Sequence, residues 1–264
     1  MTSRRFNLEP AFVLHPRPFR DTSLIVEVFT ANHGRQALVA RGARRPKARQ
    51  RSLLQGFRPL LMSWRTSGEM GTLTGVEGRG EPRRLRGDAL MAGFYLNELL
   101  MRLLQRADPH PGLFAIYDAS LSKLEGADSI ELARVLRFFE KRLLDELGVG
   151  LPLDGRTMDG QRLDPNASYH FDPEAGARAV PEGSPGTVSG ATLLALAEER
   201  LDNEEVLAES RQLLSRALES QLGGRALLTR QVLQALRRRG LLGTGAPEST
   251  PADRSWKDES NGTT

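Results

Sequence analysis

Cysteine is absent from all 264 residues. That excludes disulfides, cysteine–zinc sites, iron–sulfur ligation and a thiol nucleophile together, and it fits a cytoplasmic protein. The four histidines, His15, His33, His110 and His170, fall in separate segments with no paired spacing, so no metal site is expected. No apolar run approaches the roughly 20 residues that span a bilayer. The first six residues carry Arg4 and Arg5 with no apolar stretch behind them, which is not the form of a secretory signal. An HExxH motif, a Walker A loop and a strand-linked GxGxxG are all missing, and no serine is paired with a base. The glycines between Gly68 and Gly80 have the wrong spacing for a phosphate cradle and suit turns and bends. The expectation is a protein without membrane segment, cofactor or catalytic centre.

What is present is an uneven charge. Residues 1–87 hold 17 Lys and Arg against 6 Asp and Glu, a net of +11, whereas residues 88–264 hold 20 against 27, a net of −7. The density peaks in Arg41-Gly42-Ala43-Arg44-Arg45-Pro46-Lys47-Ala48-Arg49-Gln50-Arg51, where six of eleven residues are cationic. Such a segment suits a polyanion, because each cation that neutralises a phosphate releases a condensed counterion. A solvated run that only keeps a protein soluble has the same composition.

The basic third is patterned as five short strands. Residues 10–15 form the first, stopped by Pro16 and Pro18. Residues 23–30 set Leu24, Val26 and Val28 on one face and Ile25, Glu27 and Phe29 on the other. Asn32-His33-Gly34 supplies a turn into residues 36–40, with Gly34 free to take a positive φ. Residues 57–64 and 69–76 alternate in the same way, and glycines 71 and 75 suit the bends of a small barrel. Five strands with a long excursion between the third and fourth match an OB-fold barrel; an SH3-like barrel patterns similarly.

Helices follow. Asp88 is placed as an N-cap, and residues 90–106 are apolar almost all round, as in the centre of a bundle. Residues 111–123 form a second helix. A third opens on Asp128 and Glu131 in capping-box spacing, closes on Gly148 and carries a stripe of Leu132, Val135, Leu136, Phe139, Leu143 and Leu147. Between residues 149 and 189 the composition shifts to Gly, Pro and Asp, with one hairpin from 169–171 to 177–180. Helices are then expected near 191–200, 204–221 and 231–239, the last capped by Thr229. The class is therefore α+β: an N-terminal five-stranded OB-fold β-barrel in residues 1–82, then a helical domain in 83–241 with an insert at about 149–189. Residues 242–264 read as a disordered tail.

Candidate nucleic-acid ligands are the cations Arg41, Arg44, Arg45, Lys47, Arg49 and Arg51, with Arg17, Arg20 and Arg35. Phe19, in the turn Arg17-Pro18-Phe19-Arg20, is an exposed ring that could stack a base; Phe12, Phe29 and Trp64 are expected to fill the barrel. In the third helix Arg134, Arg137 and Lys141 make a basic stripe at i, i+3 and i+7, off the apolar one. The residues alone favour a solvated face there, balanced by Glu131, Glu140 and Asp145. An acidic peptide ending in an aromatic residue is the other occupant such a rim fits.

Taken in order, these residues resemble the RecO family of bacterial recombination mediators. The resemblance runs through Ala11-Phe12-Val13-Leu14-His15, Asp21-Thr22-Ser23-Leu24, Val28-Phe29-Thr30 and Gly34-Arg35. It continues in Leu38-Val39-Ala40-Arg41-Gly42-Ala43-Arg44 and Leu54-Gln55-Gly56-Phe57-Arg58-Pro59-Leu60. It resumes in Tyr95-Leu96-Asn97-Glu98-Leu99-Leu100, Arg137-Phe138-Phe139-Glu140, Leu222-Gly223-Gly224-Arg225-Ala226-Leu227 and Thr229-Arg230. It implies binding of single- and double-stranded DNA, annealing of complementary strands, and partnership with RecR and single-stranded DNA-binding protein (SSB) in loading RecA. It also implies a helical-domain pocket for the acidic SSB tail, with Arg137 at a matching basic position, which turns the stripe from solvated face to partner site. Many members carry a four-cysteine zinc module in the region matching residues 151–180, and this chain does not. An RNA-binding OB protein with a helical docking domain is the competing reading.

Overall fold

A computed structural model describes residues 4–66, 68, 70–230 and 232. Five strands close a barrel: β1 (Arg4–Phe19), β2 (Ser23–Thr30), β3 (Gly34–Ala40), β4 (Leu60–Thr66) and β5 (Gly71–Gly78). The order around the barrel is β1-β2-β3-β5-β4, with β4 returning to β1. Every pairing is antiparallel except β3 with β5, where Leu38 faces Gly71 and Val39 faces Thr72. Glycine leaves room for Leu38 at that junction, because a Cβ on Gly71 would lie 2.7 Å from Leu38 Cδ2 and the leucine would have to shift. This is the five-stranded OB-fold barrel. Strand β1 is longer than the prolines suggested. It pairs with β4 only as far as Ala11 and with β2 beyond, leaving one open edge where Pro16 and Pro18 need no donor.

The barrel interior holds Val13, Val26, Val28, Leu38, Leu60, Met62 and Trp64. Phe12 and Phe29 do not join them. Alternation turns both outward, and they pack on Phe114 and Tyr117 of the helical part, with centroids 5.2–6.2 Å apart. A second core therefore runs from the outer face of β1 and β2 into the helices, so β2 is buried on both faces.

The helical part comprises α1 (Gly87–Leu103), α2 (Pro111–Leu124) and α3 (Ser129–Glu146). A three-stranded sheet follows, β6 (Ser168–Asp172), β7 (Gly176–Val180) and β8 (Val188–Ser189), and then α4 (Gly190–Glu198) and α5 (Glu204–Gln221). Asp128 caps α3 by accepting the Glu131 N–H, and Gly148 adopts φ +74° just past its end. Asp88 is not a cap: α1 begins one residue earlier, after Arg86, and Asp88 lies in its first turn. Helix α1 also seats on the barrel, where the Asn97 amide donates to Leu14 O at 3.0 Å and accepts from the Tyr117 hydroxyl.

The segment without zinc ligands is held by its own backbone. Thr157 N–H donates to Gln161 O at 2.8 Å, Gln161 N–H to Thr157 Oγ1 at 3.0 Å, and Leu163 N–H to Gly155 O at 3.0 Å. Met158 N–H ties the loop to Ala177 O. Residues 228–230 are helical, so Thr229 sits inside a first turn rather than capping it. Its N–H and hydroxyl, with the Leu228 N–H, donate to the Glu98 carboxylate. The expected helix at 231–239 and the tail at 242–264 lie outside the described residues, apart from Val232. No helix among the described residues is long and apolar enough to cross a membrane.

Candidate nucleic-acid interface and helical pocket

The basic run leaves β3 at Ala40 and returns to the barrel through a 3₁₀ turn at Arg49–Ser52. It is a packed excursion. Ala43 and Leu54 are buried in the barrel core, and Gly42 turns the chain with φ +69°. The Gln50 amide donates to Arg41 O at 2.8 Å, while Arg44 N–H donates to Thr22 O at 2.9 Å. With the backbone pinned, the charges point outward: Arg41, Arg44, Arg45, Lys47, Arg49 and Arg51 are all exposed. Four of them, Arg41, Arg45, Lys47 and Arg49, line a concave surface of about 560 Å³ whose floor includes Leu53 and Val76.

The β1–β2 turn adjoins this surface. Leu24 pairs with Pro18 on one side and Ala40 on the other, and the Arg44 guanidinium donates to Arg20 O at 3.1 Å. Arg17 and Arg20 are exposed, and Phe19 is half-buried with the Arg20 guanidinium 5.1 Å from its ring centroid. Among the described residues, none of these eight cations forms an ion pair.

Arg35 stands apart from that set. It is turned toward the helical part, donating Nε–H to Leu104 O at 3.2 Å and pairing with Glu27 at 3.3 Å. Arg106 closes on the other oxygen of Glu27. A charge run read from sequence cannot show this, because Glu27 and Arg106 are 79 positions apart.

The basic stripe of α3 is divided as well. Arg134 pairs with Glu131 and reaches Leu201 O at 3.1 Å, and Lys141 bridges Asp145 and Glu199 at 3.1 Å each. Both fasten α3 to its own turn and to the α4–α5 region. Arg137, expected at the surface, is 5% exposed. Its Nη2 donates to Glu140 Oε1 at 2.6 Å, and the same oxygen accepts from the Tyr95 hydroxyl at 2.6 Å. Burial, then the Glu140 charge, pushes the Tyr95 phenol far above its ordinary range, so it remains a donor.

Arg137 also lines a cavity of about 300 Å³ between α1, α3, α5 and Thr229–Arg230. Met91, Ala92, Leu132, Ala133 and Leu136 form apolar walls, and Arg137, Arg211 and Arg230 supply three cations against one lining carboxylate, Asp88. Arg230 is held by Ser215 Oγ at 2.9 Å and Glu219 at 3.1 Å. The Nε of Arg137 and Oε2 of Glu140 are buried without a hydrogen-bond partner. Sequence reasoning missed Arg211 and Arg230 as pocket residues. Their only signal was Thr229-Arg230 among the family-like segments, and the apolar wall showed only as Leu132 and Leu136 at i, i+4. Among the described residues no cluster of His, Asp and Glu suits a metal ion.

Comparison with known proteins covers both halves. The model "Recombination protein O N terminal" matches residues 6–80 and "Recombination protein O C terminal" matches residues 84–231. A DNA repair protein RecO of Aromatoleum aromaticum is 46% identical over 236 residues, covering 88% of this chain and 97% of that protein. The RecO of Thiobacillus denitrificans is 45% identical over 241 residues, with 88% and 93% covered. The RecO of Cupriavidus metallidurans is 43% identical over 232 residues, with 87% and 77% covered. With barrel and helical part each matched in order, this chain belongs to the RecO family of DNA repair proteins.

Proposed function

We propose that this protein is a non-enzymatic recombination mediator that binds single- and double-stranded DNA and anneals complementary strands. With RecR it helps load RecA onto SSB-coated single strands, in the bacterial cytoplasm at the nucleoid. The observation that carries this reading is the set of exposed, unpaired cations around the barrel concavity. Cations without an ion-pair partner among the described residues are available to phosphates, and each contact gains the entropy of a released counterion. Neutralising two strands at one surface also lowers the repulsion that opposes their pairing.

Residues 1–82 would engage nucleic acid and residues 83–241 protein partners. The helical pocket supports the second role. An aromatic side chain fits the well of Met91, Leu132 and Leu136, while flanking carboxylates meet Arg211 and Arg230, the chemistry of an acidic, aromatic-ended SSB tail. Arg134 and Lys141 would serve by holding α3 in place.

A fluorescence strand-annealing assay tests the reading. The parent should accelerate pairing of complementary DNA strands, and Arg45→Ala/Lys47→Ala/Arg49→Ala should lose most of that acceleration while unfolding at the parent's temperature. No acceleration by the parent would overturn it. Tighter binding to matched RNA than to DNA would favour an RNA-binding role instead.

A further inference from the structure

We propose that Tyr95 is a positioning residue of the α1–α3–α5 pocket: its hydroxyl ties Arg230 to the buried Arg137–Glu140 pair, so that this guanidinium meets a ligand carboxylate already oriented. The inference rests on the acidic-peptide reading of the pocket given above. Tyr95 is 7% exposed. Its phenol oxygen lies 3.3 Å from Arg230 Nη2 and 2.6 Å from Glu140 Oε1. A guanidinium can only donate, so the phenol accepts from Arg230 and gives its single proton to Glu140. The same Glu140 oxygen accepts from Arg137 Nη2 at 2.6 Å. Two rim cations from separate elements are thus joined through one hydroxyl and one carboxylate oxygen, both buried.

The other holds on Arg230 are looser. The Glu219 side chain is 64% exposed, and an exposed ion pair contributes little. The Ser215 hydroxyl, at 2.9 Å, is free to rotate. Of these three partners Tyr95 alone is buried, and the Arg230 guanidinium also lies 5.7 Å from its ring centroid, within cation–π range. The bonds to Tyr95 and Ser215 occupy Nη2, and the bond to Glu219 takes one Nη1 hydrogen. The Nε–H and the other Nη1 hydrogen are left for a ligand. An arginine held beforehand loses less side-chain freedom when it binds, and that saving appears as affinity. The hydroxyl therefore acts on carboxylate recognition and leaves the apolar well of Met91, Leu132 and Leu136 as it is.

Titration of a labelled synthetic peptide, a run of aspartates ending in phenylalanine, into the full chain tests this in a double-mutant cycle. Tyr95→Phe keeps the ring under Arg230 and removes only the hydroxyl. It should weaken the peptide about three- to tenfold, the worth of one ordinary hydrogen bond. The same factor should persist in an Arg211→Ala background, because Arg211 is exposed and stands outside this chain of bonds. In an Arg230→Ala background it should shrink below about twofold, since residues that act as one unit do not add. A hydroxyl that merely supports the core would cost the same factor in both backgrounds, and that result overturns the proposal. Arg230→Lys is the second probe and leaves the Tyr95–Glu140 bond untouched. A single ammonium cannot span the phenol, Ser215, Glu219 and a ligand as the planar fork does, so it should lose about as much as Tyr95→Phe. Parent-like affinity in Arg230→Lys overturns the proposal even if Tyr95→Phe fails to fold. A parent that binds the peptide no better than Tyr95→Phe overturns this inference alone. A parent that binds no acidic peptide overturns the reading of the pocket and the inference with it.

Discussion

Glu27 of the barrel and Arg106, three residues past the end of α1, form an ion pair across the junction of the two parts, and Arg35 approaches the same carboxylate from β3. The Glu27 side chain is 5% exposed, that of Arg35 14% and that of Arg106 44%. Removing the carboxylate leaves the half-buried Arg35 guanidinium without its charge partner, whereas removing Arg106 leaves the buried Glu27 still paired. Glu27→Ala should therefore cost about 3–5 kcal/mol and Arg106→Ala clearly less. Urea unfolding of parent and both variants checks the order; equal costs would mean that Arg35 does not hold the carboxylate.

The basic excursion should set the salt dependence of DNA binding. Arg44→Ala, Arg45→Ala, Lys47→Ala, Arg49→Ala and Arg51→Ala together remove up to five phosphate contacts. At about 0.7 counterions per contact on single strands, the slope of log K against log[salt] should become shallower by at most about 3.5. The loss should be similar across sequences, because phosphate contacts position without reading bases. Arg35→Ala should instead lower stability. A salt titration monitored by fluorescence anisotropy separates the two classes.

Glu98 links stability to pH. Burial alone would raise its pKa, but donors from Thr229 and Leu228, with Arg102, outweigh burial and hold it below its ordinary value of 4.5. A depressed folded-state pKa gives stability that is full above the unfolded value and is lost as pH falls through the folded one. Glu98→Gln should thus cost about 1 kcal/mol at neutral pH, the scale of a carboxylate at a helix start. The gap should narrow below about pH 4.5. Thermal melts from pH 3 to 8 give the comparison, and a gap that widens in acid would contradict it.

Arg137 is a poor probe of the pocket and Arg211 a good one. Arg137→Ala leaves Glu140, which is fully buried, without its cation and should cost about 3–5 kcal/mol. Arg211 is exposed, so Arg211→Ala should leave stability within about 0.5 kcal/mol of the parent. It should still weaken an acidic peptide by about tenfold or more, the value of a charge-assisted hydrogen bond. Melting temperatures and peptide titrations of both variants are the measurements.

Local pattern carried the α3 cap, the hairpin at β6–β7 and the alternation of β2, because each is decided by residues a few positions apart. It did not show that Phe12 and Phe29 face the helices. An apolar residue on either face of a strand reads alike until a partner element covers one of them. The two-residue strand β8 has no period to detect, and β1 was cut short because proline stops a paired strand but not an open edge. Charge misled where it was buried. Arg35 and Arg137 look like surface cations until Glu27, Arg106 and Glu140 are in place around them. The pocket was only half legible, since Arg211 and Arg230 come from separate elements that meet α3 only after folding.

Helix α1 has a double attachment. Asn97 grips the β1 backbone at Leu14 O, and within two turns of it Met91, Ala92 and Tyr95 wall the pocket. One helix thus links the barrel to the walls of the cavity. If the basic surface takes DNA and the cavity takes a peptide, as proposed above, both would be joined through α1. On that proposal the helix would act as a jig between a captured tail and a bound strand.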